Sequence, residues 1–248
     1  MNEKIQKILS RTGYGSRRWI EKMIIANRLI INNKPVKIGQ RFNIYDIDTV
    51  ILDNKKCVFK HPIQPVRILM YHKSNGEICT RKDPKNRKTV FQNLPNLYNA
   101  QWIIVGRLDI NTSGLLLFTT NGNLANRLMH PKFNIIREYI VRVFGNVNNH
   151  ILKKLVTGVK LQDGYAAFKK ITVIPSNQSR NKWFIVSLLE GRNHEVRRIW
   201  KSVGIIVNRL IRIRYGNIIL PKNLSPGTWT DIDLHKIKNL YSSVKLIF

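Results

Sequence analysis

One carboxylate stands out for what could be built around it. Asp109 lies in the stretch Gly106 to Thr120, GRLDINTSGLLLFTT, two residues after Arg107 and just ahead of Asn111, Thr112, Ser113 and Gly114. Residues 102–105 (WIIV) lead in as a short β-branched apolar run and residues 115–118 (LLLF) lead out in the same style. Both flanks are therefore expected to be buried strands around a polar turn. A lone acid between core strands, with a guanidinium and hydroxyls beside it, is how a scaffold holds a reactive carboxylate in a cleft. The plainer alternative is an Asp that only caps its own turn, and on residue chemistry alone that is the stronger reading.

Two further stretches carry groups that could meet such an acid. In REYIVRVFG, Tyr139 falls in an alternating strand, where a tyrosine is ordinarily a core residue with its hydroxyl at the edge. In WFIVSLLEGRNHEVRRIW, a strand is broken by Gly191 and followed by a helix whose apolar stripe is Val196, Ile199, Trp200 and Val203. At about 100° per residue Arg197 lands on the edge of that stripe, within reach of a buried partner, while Arg198 points away.

The elements that must position these groups are also legible. RILMYHKSNGEICT reads as a hairpin about Asn75-Gly76, NLANRLMHP as a short helix stopped by Pro131, and RLIRIRYG as a strand. Arg209, Arg212 and Arg214 on that strand are expected to lay a basic stripe on one sheet face. Residues 148–174 read as a helix, a turn at Asp163-Gly164 and a strand, and PSNQSRNK as a loop between strands. Nearer the start, Ile5, Ile8 and Leu9 have helical spacing, and Ser16 is a candidate N-cap for a second helix bearing Trp19, Ile20, Met23 and Ile24. RLIINNKPVKIG then gives two β-prone runs joined by Asn32-Asn33, with a further strand near residues 50–52. Residues 54–66, NKKCVFKHPIQPV, read as a linker.

The string GRLD followed by TSGLLL resembles the catalytic motif of the pseudouridine synthases, in the branch that includes the RsuA and RluB enzymes. EVRRIW, RLIRIRYG and PGTWTDIDL resemble the RluB subgroup more than RsuA, and the similarity covers nearly the whole chain. The resemblance implies that Asp109 is the nucleophile, that Tyr139 stacks on the target base and serves the proton step, and that Arg197 pairs with Asp109 and stabilises its charged form. It implies RNA positioning by Arg107. The family's lysine-proline pair is here Lys73-Ser74, with the lysine a possible substrate contact. Residues 4–36, KIQKILSRTGYGSRRWIEKMIIANRLIINNKPV, resemble an S4 RNA-binding domain, which would place Arg11, Ser16, Arg17, Arg18 and Arg28 against phosphates.

Composition agrees with such a partner. Basic residues number 43 against 14 acidic, a net charge of +29 that calls for a polyanion such as nucleic acid or an acidic membrane surface. No apolar run approaches the roughly 18 residues of a membrane span, and the first residues lack the apolar centre of a signal peptide, so a cytoplasmic protein is expected. Cys57 and Cys79 are far apart and the six histidines are scattered, so no metal or disulfide framework is expected.

The expectation is an α+β protein with an S4-like domain over residues 1–60 and a catalytic domain over 67–248, built on a mixed, largely antiparallel sheet with a central cleft. The implied activity is conversion of a specific uridine of large-subunit (23S) ribosomal RNA to pseudouridine, without a cofactor, by a monomer acting on the RNA or its precursor particle. The alternative is a non-catalytic assembly factor of the same fold. A nuclease or glycosidase is disfavoured, because one acid without a second acid or metal cluster lacks what those reactions generally need.

Overall fold

The computed structural model describes residues 2–59, 61, 66–175 and 181–248. The chain divides into two compact units, Met1–Arg67 with Pro95–Ile103, and Ile68–Leu94 with Ile104–Phe248.

In the first unit, helices Ile5–Arg11 and Arg17–Ile25 turn Ile5, Ile8, Leu9, Ile20 and Ile24 into one core with Leu29, Val50 and Phe59. Burying each such aliphatic side chain contributes about 1.5–3 kcal/mol. Ser16 caps the second helix, its Oγ accepting from the Trp19 N–H at 3.2 Å. Trp19 itself stays 37% exposed, so the buried face of that helix is narrower than the sequence pattern suggests. Leu29–Ile31 and Lys34–Pro35 pair through Asn32 and Asn33, both at positive φ (46° and 62°), the backbone that a two-residue hairpin with matching twist requires. The expected linker begins too early in the sequence reading. Lys55–Val58 is a strand paired with Thr49–Leu52, and Phe59 is buried in the same core, so clustered lysines mark an exposed edge strand here rather than a tether. Residues 60 and 62–65 of that stretch lie outside the described residues. Residues 95–103 also belong to this unit, which no local pattern announces; there the Trp102 indole N–H donates to Pro95 O at 2.8 Å.

The second unit is organised on a mixed sheet in the order Lys170–Ile174, Asn181–Leu188, Arg137–Phe144, Ile206–Tyr215, Ser113–Thr119, Ile68–Lys73, Trp229–Asp231. Every neighbouring pair along this path is antiparallel except Ile206–Tyr215 with Ser113–Thr119, which run parallel. Residues 115–118 are fully buried, as expected of a central strand with apolar side chains on both faces. Helix Glu195–Lys201 presses Trp200 between Phe168 and Phe184, at centroid distances of 6.0 and 5.2 Å. It ends two residues short of its apolar stripe, so Val203 lies beyond it.

The hairpin at Asn75-Gly76 does not form as expected. Ile68–Lys73 pairs instead with Ser113–Thr119, Lys73 opposite Gly114, and residue 78 makes only an isolated bridge to Thr89. The cause is Glu77: its buried carboxylate accepts from Tyr71 Oη at 2.9 Å and from the Ser74 N–H at 3.0 Å, folding the chain back on its own strand. Gly76 still turns with φ +87°, and its N–H reaches Ile110 O at 2.9 Å, tying this turn to the one that carries Asp109. Of the loop expected over residues 175–182, residues 176–180 lie outside the described residues.

Candidate active site

The Asp109 turn is braced from three sides. The Thr112 N–H closes it on Asp109 O at 3.0 Å. Lys73, fully buried, donates from Nζ to Thr112 O at 2.8 Å and Ser74 O at 2.9 Å, with Ile110 O at 3.4 Å. Burial lowers the affinity of this ammonium for its proton, opposed by the negative groups around it, Asp109 among them. Lys73 is therefore a brace for the turn and not the substrate contact the motif suggested. On the exit side Gly114, at φ +106°, lies so close to the parallel strand that a Cβ there would stand 2.2 Å from Arg212 O. That close approach explains the glycine of the TSG triplet.

Asp109 opens into a cleft of about 920 Å³, whose walls include Cys79, Arg107, Tyr139, His194, Glu195 and Arg212. Its Oδ2 stands 3.2 Å from His194 Nδ1, with the two side chains 30% and 54% exposed. His194 adopts φ +48° immediately before helix Glu195–Lys201 and is thereby turned toward the acid. The expected Arg197–Asp109 ion pair is absent. Arg197 instead donates to Val207 O and Asn111 O, each at 2.8 Å. Both ends of its guanidinium are engaged by backbone carbonyls, so it holds the Asp109 turn from behind through Asn111. Arg198 pairs with Asp163 at 2.7 and 2.8 Å, a fork that pulls the Asp163 carboxyl below the usual carboxylate range.

Tyr139 is buried in the cleft wall, directly opposite Arg212 on the neighbouring strand. Arg107 is exposed at the cleft. Asp109, Tyr139 and Arg107 thus meet in one cavity. Cys79 receives the Leu108 N–H at 3.5 Å and returns its own S–H to Leu108 O at 3.4 Å, and burial pushes its thiol up. Among the residues expected on RNA in the first unit, Arg17 and Arg18 are exposed, whereas Arg11 pairs with Glu3 at 3.2 Å and Arg28 pairs with Asp53. The Ser16 hydroxyl oxygen is engaged in its cap.

Sequence reasoning passed over His194, Glu195 and Arg137 of this site, and expected Arg212 only as part of a basic stripe. His194 was legible only as the residue before a helix. Glu195 accepts from the Arg192 N–H at 2.9 Å, and burial pushes its carboxyl up to about 7, with Glu190 beside it. Arg137 and Arg212, 5% and 2% exposed, stand 4.9 and 5.1 Å from the Tyr215 ring centroid. Arg137 donates to Ile135 O, Leu189 O and Tyr215 Oη. Arg212 gives Nε to Leu115 O at 2.8 Å, and its buried Nη2 has no hydrogen-bond partner among the described residues. Among those residues no trio of His, Cys, Asp or Glu is gathered as metal ligands would be, and no helix is long and apolar enough to cross a membrane.

Residues 67–202, which carry the Asp109 turn, Tyr139 and His194, match a family model described as RNA pseudouridylate synthase. The chain belongs to that family. It is 54% identical over 247 residues to the ribosomal large subunit pseudouridine synthase B of Buchnera aphidicola subsp. Baizongia pistaciae (strain Bp), covering 99% of this chain and 100% of the relative. The protein of the same name from Escherichia coli (strain K12) is 50% identical over 99% of this chain and 84% of its own length. A crystal structure of a pseudouridylate synthase superposes with a TM-score of 0.65 at 22% identity, over 96% of this chain and 99% of that one, and shares the fold. The α+β architecture and the mixed, largely antiparallel sheet expected from the sequence are borne out.

Proposed function

We propose that this enzyme converts a specific uridine of 23S ribosomal RNA to pseudouridine, with Asp109 as the nucleophile. The observation that carries the reading is the meeting of Asp109, Tyr139 and Arg107 in one cleft, on a turn braced by Lys73 and Arg197. The names of the relatives, at 50–54% identity over nearly the whole chain, support the large-subunit substrate. A uridine must leave its stack to reach Asp109, at a cost of a few kcal/mol that a looped or bulged site lowers. Tyr139 offers the flat face on which the extruded base rests. Asp109 attacks C1′ directly or initiates a glycal, the C1′–N1 bond breaks, the base turns and rejoins through C5, and C5 loses its proton while N1 gains one. Because product and substrate are isomers, no external redox partner or group donor enters the balance.

In the same reading the first unit is an S4-like RNA-binding domain, with Arg17 and Arg18 presented to phosphates and Arg11 and Arg28 held beside Glu3 and Asp53. The protein acts as a monomer in the cytoplasm, on the RNA or on its precursor particle. The test is carbodiimide-dependent primer extension across large-subunit RNA, naked and in precursor particles, after incubation with wild type or Asp109→Ala. A stop made by the wild type alone supports the proposal. Equal stops with both proteins would remove Asp109 from the chemistry, and none with either would favour a binding role without catalysis.

A further inference from the structure

The guanidinium of Arg212 is buried and only partly satisfied. It is 2% exposed and lies in the wall of the cleft that holds Asp109 and Tyr139. Nε is engaged by Leu115 O, while Nη2 is sealed from water without a partner among the described residues. A buried donor on a cation is costly when unpaired, so such a group marks a place where something else completes the hydrogen bond. Its position is also fixed with unusual strictness. Arg212 is opposite Tyr139 on one side and opposite Gly114 on the other, and Gly114 has no room for a Cβ against Arg212 O. The Tyr215 ring, 5.1 Å away, supports the guanidinium, and Arg137 packs on the same ring at 4.9 Å.

We propose that Arg212 Nη2 donates to a carbonyl oxygen of the extruded uracil and stabilises the negative charge that the base takes on when it detaches. The inference rests on the isomerase reading given above. When the C1′–N1 bond breaks, its electron pair stays with the base and spreads from N1 onto O2 and O4. A fixed cation beside the base, itself buried in the cleft wall, is worth far more to that anion than to neutral uridine, so it lowers the barrier rather than merely tightening binding. When C5 then bonds to C1′, the charge leaves the base and Arg212 returns to its resting contacts. Tyr139 supplies the platform and Arg212 the charge, from neighbouring positions on adjacent strands.

The test compares single-turnover rates of wild type, Arg212→Met and Arg212→Lys on a target RNA carrying uridine or 5-fluorouridine, followed by loss of the starting nucleoside in nuclease digests. Fluorine withdraws electrons and stabilises the departing anion without help from the protein. The expected result on uridine is a loss of about 10²–10³-fold in Arg212→Met, with RNA binding near wild type, and a much smaller loss on 5-fluorouridine. Arg212→Lys, which keeps a cation in the core, guards against a folding failure and should show the same narrowing from a smaller starting deficit. An equal deficit on both substrates in both variants would overturn the proposal and leave Arg212 a structural residue. So would a deficit that follows pH instead of the base, which would make Arg212 a partner of Asp109. No turnover of uridine by the wild type on a validated target would overturn the isomerase reading itself, and this inference with it.

Discussion

At the scale of single residues, the site depends on two positions with opposite demands. Asp109 must be reachable, and Gly114 must be nearly nothing. Asp109→Ala is expected to abolish turnover while leaving the affinity for RNA within a few-fold of wild type, as read by filter binding beside the primer-extension assay. Gly114→Ala should cost about 3 kcal/mol, because the added Cβ meets a strand backbone and the residue has φ +106°; urea unfolding measures it. Asp109 and Tyr139 were singled out by the resemblance of their motifs, since on residue chemistry alone one reads as a turn cap and the other as an ordinary strand tyrosine. Arg212 was not, and the basic stripe expected of it fails for a physical reason. Strict alternation already puts residues three apart on opposite faces, and the pairing runs unshifted from Arg209 to Arg212, while the shift between Glu138 and Tyr139 falls between Arg212 and Arg214. Arg209, Arg212 and Arg214 therefore form no single stripe: Arg209 is exposed and Arg212 is in the core.

At the scale of elements, the segment 190–198 is held by charges. Arg192 donates to both oxygens of Glu190, at 2.6 and 3.0 Å, and to Tyr165 O at 2.7 Å, while Arg198 clamps Asp163. Burial would raise Glu190, but the hydrogen bonds from Arg192 and Glu195, with the Arg192 charge, together lower that carboxyl, leaving Glu195 as the member of the pair that keeps its proton. A raised carboxyl favours the folded state when protonated, so its contribution is fully present below the ordinary value of 4.5 and is lost as pH rises toward about 7. Thermal unfolding of wild type and Glu195→Gln should therefore agree best near pH 4.5 and diverge by pH 7.5, with the variant the more stable; parallel curves would show that Glu195 does not titrate in this window. Arg197 acts on the same region from the helix. Arg197→Ala frees Asn111 O and should reduce kcat by roughly ten- to a hundredfold through misplacement of Asp109, with KM little changed. Short helices of this unit were readable from apolar period and Pro placement, but the partner of a strand was not: nothing local says that Ile68–Lys73 chooses Ser113–Thr119 over its own continuation.

At the scale of the whole molecule, a net charge of +29 makes affinity for RNA a matter of counterions. Replacing Arg17 and Arg18 with alanine should weaken binding and reduce the slope of log K against log salt by about 1 to 2, while single-turnover chemistry on saturating RNA stays at the wild-type rate. An unchanged slope would mean that the first unit meets RNA by another face. The two-unit division was visible in the sequence only roughly, since residues 95–103 join the first unit from a distance that no periodicity reports. The parallel pairing of Ile206–Tyr215 with Ser113–Thr119 also sets a clock. Arg212 and the Leu115 carbonyl it grips are 97 residues apart, so at about 5–20 residues per second a nascent chain displays the Asp109 turn for roughly 5–20 s before the strand that walls the cleft has been made. Until then the cleft lacks Arg212 from its wall. An enzyme whose substrate is the ribosome's own RNA thus leaves the ribosome's catalytic centre without a working site, and acquires one only after the strand bearing Arg212 has been made.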